Sequence, residues 1–214
     1  MMFDAKRLLD QLVGSGAAGG FAGGLAGGAL ANVLGSKKGR KLGGSALKLG
    51  GLAVVGGLAY KAWRDYQQGQ AAPAGEVPVP PAGTGFLPSE NDDRGADELS
   101  MLLVRSMIGA AKADGSIDTQ ESQAILNRIN ELQLPAEDKA FLFEEYSRPL
   151  DIAAIARDVD SPEHAVEVYA ASALIVDPPS PPERIYLDSL ARELSLEDGL
   201  VRQIHATLAA QTAG

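Results

Sequence analysis

Asp114-Gly115-Ser116-Ile117-Asp118-Thr119-Gln120-Glu121 and Asp177-Pro178-Pro179-Ser180-Pro181-Pro182-Glu183 carry one acidic pattern at the head of two helical stretches about 60 residues apart. Counted from Glu121, apolar residues fall at Ile125, Leu132 and Leu134; counted from Glu183, they fall at the same offsets, Leu187, Leu194 and Leu196. Agreement of this kind predicts an internal repeat of two pseudo-symmetric halves. Carboxylates converging between such halves are the ligands that hard cations prefer.

Working outward, residues 97–214 read as helices throughout. Leu99, Leu102, Leu103, Met107 and Ile108 step at helical spacing up to Asp114-Gly115, where glycine permits a stop. Asp118 stands three residues before Glu121, a capping-box spacing that opens a helix to about Gln133. Pro135, Ile152, Ser161-Pro162, Ser180-Pro181-Pro182-Glu183 and Ser195-Leu196-Glu197-Asp198 mark further helix starts. No run alternates with period two. The expected fold is therefore all-α, a compact bundle of about seven helices with enough chain for one core.

The acidic residues admit two readings. Asp118, Glu121 and Glu183 lie in first turns, where a carboxylate satisfies free N–H groups and complements the helix dipole without any metal. Asp114 and Asp177 lie instead at the ends of preceding helices, where a negative charge opposes the dipole and a neighbouring cation would account for it. Together Asp114, Asp118, Glu121, Asp177 and Glu183 form the candidate metal set, for Ca²⁺ or a similar ion given oxygen ligands alone. The loop is not an EF-hand, because Glu121 comes at the eighth position rather than the twelfth.

The first 66 residues differ in kind. Sixteen of the 25 glycines lie in residues 1–60, and nine Lys/Arg stand against three Asp/Glu in residues 1–66, whereas residues 97–214 carry nine against 21. From Gln11 to Ser36 no residue is charged, a length sufficient to cross a bilayer core as a helix. Gly16, Gly20, Gly24 and Gly28 recur every fourth residue, a spacing that lets helices self-associate closely in lipid. A flexible linker would be Ser-rich rather than rich in Leu, Ala and Val, and a secretory h-region would be shorter. These features predict a membrane-associated segment with a helix over 11–35, a basic turn over 36–41 and a second apolar helix over 42–64. Either both stretches span as a hairpin, or the first alone spans and the second lies at the interface with Tyr60 and Trp63 at headgroup level. The single span is the arrangement adopted, with the acidic domain in the cytoplasm. Residues 67–96, with Pro73, Pro78, Pro80, Pro81 and Pro88, read as a disordered linker.

Several function classes are excluded or disfavoured. An acidic domain is a poor nucleic-acid binder. The absence of Cys rules out disulfides and thiolate metal sites. Neither His164 nor His205 accompanies a nucleophile motif, and the glycine run lacks the ending of a phosphate loop. The expectation is a non-enzymatic binding module, with a scaffold for unknown protein partners as the alternative.

Ala110-Ala111-Lys112-Ala113-Asp114-Gly115-Ser116-Ile117-Asp118, with Glu121, Asp177 and Glu183-Arg184 followed by Leu187, Leu190 and Ala191, resembles the TerB (tellurite-resistance) helical domain. The whole chain resembles the YebE-like inner-membrane proteins of unknown function. The resemblance implies two pseudo-symmetric helical halves, acidic residues that bind a divalent cation, a bacterial inner-membrane location and a role in stress or metal response. Counted from Asp114 and Asp177, Pro181 stands where Asp118 stands in the first half, which implies unequal half-sites.

Overall fold

Side-chain caps fix where several helices begin. Asp92 accepts a hydrogen bond from the Gly95 amide at 2.9 Å, Asp151 from Ala154 at 2.9 Å, and Ser161 from His164 at 3.1 Å. Each satisfies an N–H group that the first helical turn would leave free. The computed structural model describes residues 4–14, 50–70, 77–89, 91–113 and 135–212. Among them are eight helices: α1 (Ala5–Gly14), α2 (Gly51–Gln67), α3 (Asp93–Ala111), α4 (Ala136–Ser147), α5 (Ile152–Arg157), α6 (Pro162–Ile175), α7 (Pro181–Glu193) and α8 (Asp198–Thr212). The fold is an all-helical bundle. The expected helix from Asp118 to Gln133, on which the pseudo-repeat depends, lies outside the described residues.

α6 is the central element. Every residue from Ala165 to Ala173 is buried, as befits a helix that is apolar nearly all round. Its small residues let α3 approach closely: the Ser172 hydroxyl donates to the Ser106 carbonyl at 3.1 Å, and the Tyr186 hydroxyl of α7 donates to the same carbonyl at 3.1 Å. α2 and α8 pack on α6 as well, and α1 packs against α2 and α3.

The placement of α2 corrects the reading of residues 42–64. The apolar run does not end in an interfacial helix: residues 51–59 are buried without a break, packed on α1, α6 and α8. Its charges are absorbed as pairs, with Lys61 Nζ 2.9 Å from Asp65 Oδ2 and Arg64 Nη2 2.8 Å from Asp65 Oδ1. Among the described residues no helix is long and apolar enough to cross a membrane. Tyr60 and Trp63, expected at headgroup level, instead pack against Phe86, with ring centroids 5.6 Å away in each case.

Phe86 also corrects the linker. Residues 77–89 form a strap laid on α2 rather than a free tether, with Val77 and Phe86 buried. Burying a phenylalanine contributes about 2 kcal/mol, enough to hold a short segment down. The strap lies directly on glycine: a Cβ at Gly57 would come within 2.5 Å of the Pro78 carbonyl oxygen. Three of its residues, Gly83, Gly85 and Leu87, take positive φ values of 81°, 81° and 69°.

α1 was not foreseen as an element of the body. Ala5, Leu8, Leu9 and Val13 are buried at helical spacing, and the Arg7 guanidinium meets the buried Asp138 carboxylate of α4 at 3.0 Å. One turn further along α1, Asp10 Oδ1 accepts a hydrogen bond from the Gly51 amide at 2.7 Å. The helical body therefore includes α1 and α2, and the two ends of the stretch 15–49 are clasped together. The glycines at 16, 20, 24 and 28, expected to mediate self-association, lie within that stretch, outside the described residues.

Candidate functional site

Of the five predicted ligands, Asp114, Asp118 and Glu121 lie outside the described residues. Glu183 is buried in the first turn of α7, where its Oε2 accepts the Ser180 amide at 2.6 Å. That bond is the carboxylate half of a capping box, so one oxygen of Glu183 is committed to the helix start. Asp177 stands in the turn between α6 and α7, just before Pro178, to which it is joined by a cis peptide bond. Among the described residues no three His, Asp or Glu side chains gather around a point that could hold a metal ion.

Asp177 is coupled instead to a histidine. Burial pushes its carboxyl above the usual carboxylate range, and His205 of α8 opposes the shift. Burial pushes His205 down, while Asp177 and Asp188 pull it back up. His205 Nε2 lies 3.0 Å from the Tyr169 hydroxyl, and the two rings meet edge to face at 5.8 Å. Burial, with a smaller contribution from Asp188, raises the Tyr169 hydroxyl well above its ordinary value. A neutral imidazole and a protonated phenol at this distance make a hydrogen-bonded pair in which the phenol keeps its proton. Tyr169 and His205 are far apart in sequence and on different helices, so no local spacing announces them.

A second group missed by sequence reading is Glu167. It lies on the buried face of α6 with no exposure, and neither carboxyl oxygen has a hydrogen-bond partner. Burial raises its pKa to about 8; the Leu87 amide, short of full hydrogen-bond geometry, counters part of this, and Glu163 adds to the rise. Gly56 of α2 makes room for it, since a Cβ there would lie 2.9 Å from Glu167 Oε1 and 2.7 Å from the Leu87 side chain. The carboxyl is thus roofed by the strap and held in its neutral form near pH 7. A glutamate in the middle of an apolar helix, Val166-Glu167-Val168, is the signal that marks it in the sequence.

α2, the strap and α3 to α7 fall within one recognised unit. A family model described as protein of unknown function, DUF533, matches residues 19–208. The chain belongs to the DUF533 family. DUF533 is TerB-like, which agrees with the helical resemblance read from residues 110–191. The DUF533 match takes in α2, the strap and α3 to α7 and runs into α8, whereas α1, which packs on α2 and α3, lies before it. The chain is also similar to an uncharacterised protein in the ampR 5′ region of Yersinia enterocolitica, 29% identical over 112 residues, which is 50% of this chain and 81% of that protein. No solved structure matches.

Proposed function

We propose that this chain is a non-enzymatic, membrane-associated helical module whose glycine-rich stretch 15–49 meets the bilayer from one side. The observation that supports this reading is the clasp of Asp10 on the Gly51 amide, because it holds the residues before and after the stretch close together. This favours a re-entrant path over the single span. A helical return is too short as well: residues 15–36 would reach about 33 Å as a helix, but residues 42–49 only about 12 Å, against a hydrocarbon core of about 30 Å. Entry into one leaflet, with Lys37, Lys38, Arg40 and Lys41 kept at the anionic surface, fits both lengths and charge. The likeness to YebE-like inner-membrane proteins belongs with this reading, which places the body at the cytoplasmic face of the bacterial inner membrane. A stress or metal-response setting follows from TerB-like kinship, and a divalent cation would rest on Asp114, Asp118, Glu121 and Asp177. Titrating the full chain and Asp114→Ala with Ca²⁺, Mg²⁺ and Mn²⁺ by calorimetry tests that part.

The chain has no Cys, so single cysteines report sidedness cleanly. With Lys6→Cys or Gln68→Cys protein bound to phosphatidylethanolamine–phosphatidylglycerol vesicles, both variants are expected to float and to react with an impermeant maleimide from the same side. Labelling from opposite sides, or failure to float, would overturn the proposal.

A further inference from the structure

A groove of about 480 Å³ opens where three segments meet: the last turn of α2, the turn entering α6 and the turn joining α7 to α8. Its base is apolar, with Val166, Leu194 and Leu200 all buried. α2 contributes two aromatic rings, Trp63 and Tyr66, and the turns contribute three exposed carboxylates, Asp160, Glu193 and Glu197. No Lys, Arg or His is among the residues that line it.

These groups are held in place before any ligand arrives. The Tyr66 hydroxyl donates to Glu197 Oε2 at 2.6 Å, and a Cβ at Gly199 would come within 2.6 Å of the Tyr66 ring, so the ring rests directly on the backbone of α8. Trp63 is flanked by the Tyr60 and Phe86 rings, at 6.5 and 5.6 Å. Asp160 Oδ1 lies 2.5 Å from His164 Nδ1. Glu193 has no partner among the described residues, and Arg202, the cation that acts on the Tyr66 hydroxyl, lies outside the lining. An aromatic pair beside carboxylates with no Lys or Arg in the lining favours a guanidinium, which is planar, weakly hydrated, stacks on rings and pairs with carboxylates. The volume exceeds what one such head group fills and falls in the range of drug-sized ligands.

We propose that this groove docks a short arginine-bearing segment of a partner protein, with the guanidinium against Trp63 and Tyr66 among Asp160, Glu193 and Glu197, and a neighbouring apolar side chain on Val166, Leu194 and Leu200. Charge complementarity supports the choice, since three carboxylates and no Lys or Arg line the groove. The assignment concerns the helical body and stands whether or not residues 15–49 meet a bilayer.

Trp63 is the single tryptophan of the chain, so its emission reports on the groove. Titrating the full chain with acetyl-Leu-Arg-Arg-Leu-amide is expected to change that emission saturably. Glu193→Gln should weaken binding about threefold and Asp160→Asn/Glu193→Gln about tenfold, as loss of exposed ion pairs would give. Unchanged emission of the free variants serves as the control for folding. No saturable change up to millimolar peptide, equal affinity for acetyl-Leu-Glu-Glu-Leu-amide, or unaltered affinity in the double variant would overturn the proposal. Equal affinity for acetyl-arginine amide would reassign the groove to a small cation. Binding that appears only after Lys37, Lys38, Arg40 and Lys41 are replaced by Ser would overturn it in favour of the chain's own basic stretch.

Discussion

Gly56 of α2 and Glu167 of α6 meet so closely that a methyl group on the glycine would lie 2.9 Å from the carboxyl oxygen Oε1. The same methyl would lie 2.7 Å from Leu87 Cδ2, so helix, buried acid and strap converge on one glycine. Gly56→Ala must therefore displace either the carboxyl or the strap. Overpacking of this kind costs about 1–3 kcal/mol. The loss should appear in urea denaturation, together with faster proteolysis within residues 77–89.

Glu167 holds its proton more tightly in the folded chain than in the unfolded one. A carboxyl raised from 4.5 to about 8 gives stability that is fully present below the unfolded value and is lost as pH rises through the folded one. Glu167→Gln keeps the shape and removes the titration. Between about pH 5 and about pH 9 the natural chain should lose stability relative to the variant on the order of 4 kcal/mol. Parallel urea midpoints across that range would show no divergence if the acid were not buried as described.

Ser195 follows the end of α7 with a φ of 55°, a left-handed conformation that glycine adopts without strain. The Leu196 amide donates to the Ala191 carbonyl at 2.9 Å and the Ser195 amide to Arg192 at 3.1 Å, so the conformation is part of the helix stop. Ser195→Gly should stabilise the chain by about 0.5–1 kcal/mol. Calorimetric melting would then rise by about 1–4 °C.

Glu183 separates a cap from a ligand. Its bond to the Ser180 amide predicts that Glu183→Ala costs about 1 kcal/mol. The cost should be the same in Ca²⁺ and in chelator, measured by thermal melting. A penalty that grows with Ca²⁺ would show that the carboxylate serves a metal.

Local signals were legible and long-range ones were not. Ser161 and Ser180 start helices where their spacing to His164 and Glu183 says they should, because a cap is a contact across three residues. The short helix Ile152–Arg157 falls where its pattern places it. α2 was misread because an unbroken apolar run looks alike in a bilayer and at the centre of a protein, and only its neighbours decide between them. Lys61 and Asp65 carried the hint: an oppositely charged pair four residues apart can enter a protein core together. The strap reads as a tether from its prolines and glycines, yet Val77 and Phe86 find pockets that composition does not record. Of the acidic set, the capping role of Glu183 was readable, whereas the influence of His205 on Asp177 depends on how α8 returns across α6 and α7.

The clasp of Asp10 on Gly51, beside which Val13 Cβ would lie 3.1 Å from a Cβ at Gly51, has a further meaning for how such a chain is assembled. The helices on either side, α1 and α2, pack on each other, so the chain that joins them is a graft between two elements that already belong together. A graft of this kind can be lengthened, recoded or exchanged for a tight turn while the framework on either side keeps its packing, since insertions are tolerated where the flanking backbone is anchored independently. Changes of composition in the 35 residues between Gly14 and Gly50 need not disturb the packing of the helices that bracket them.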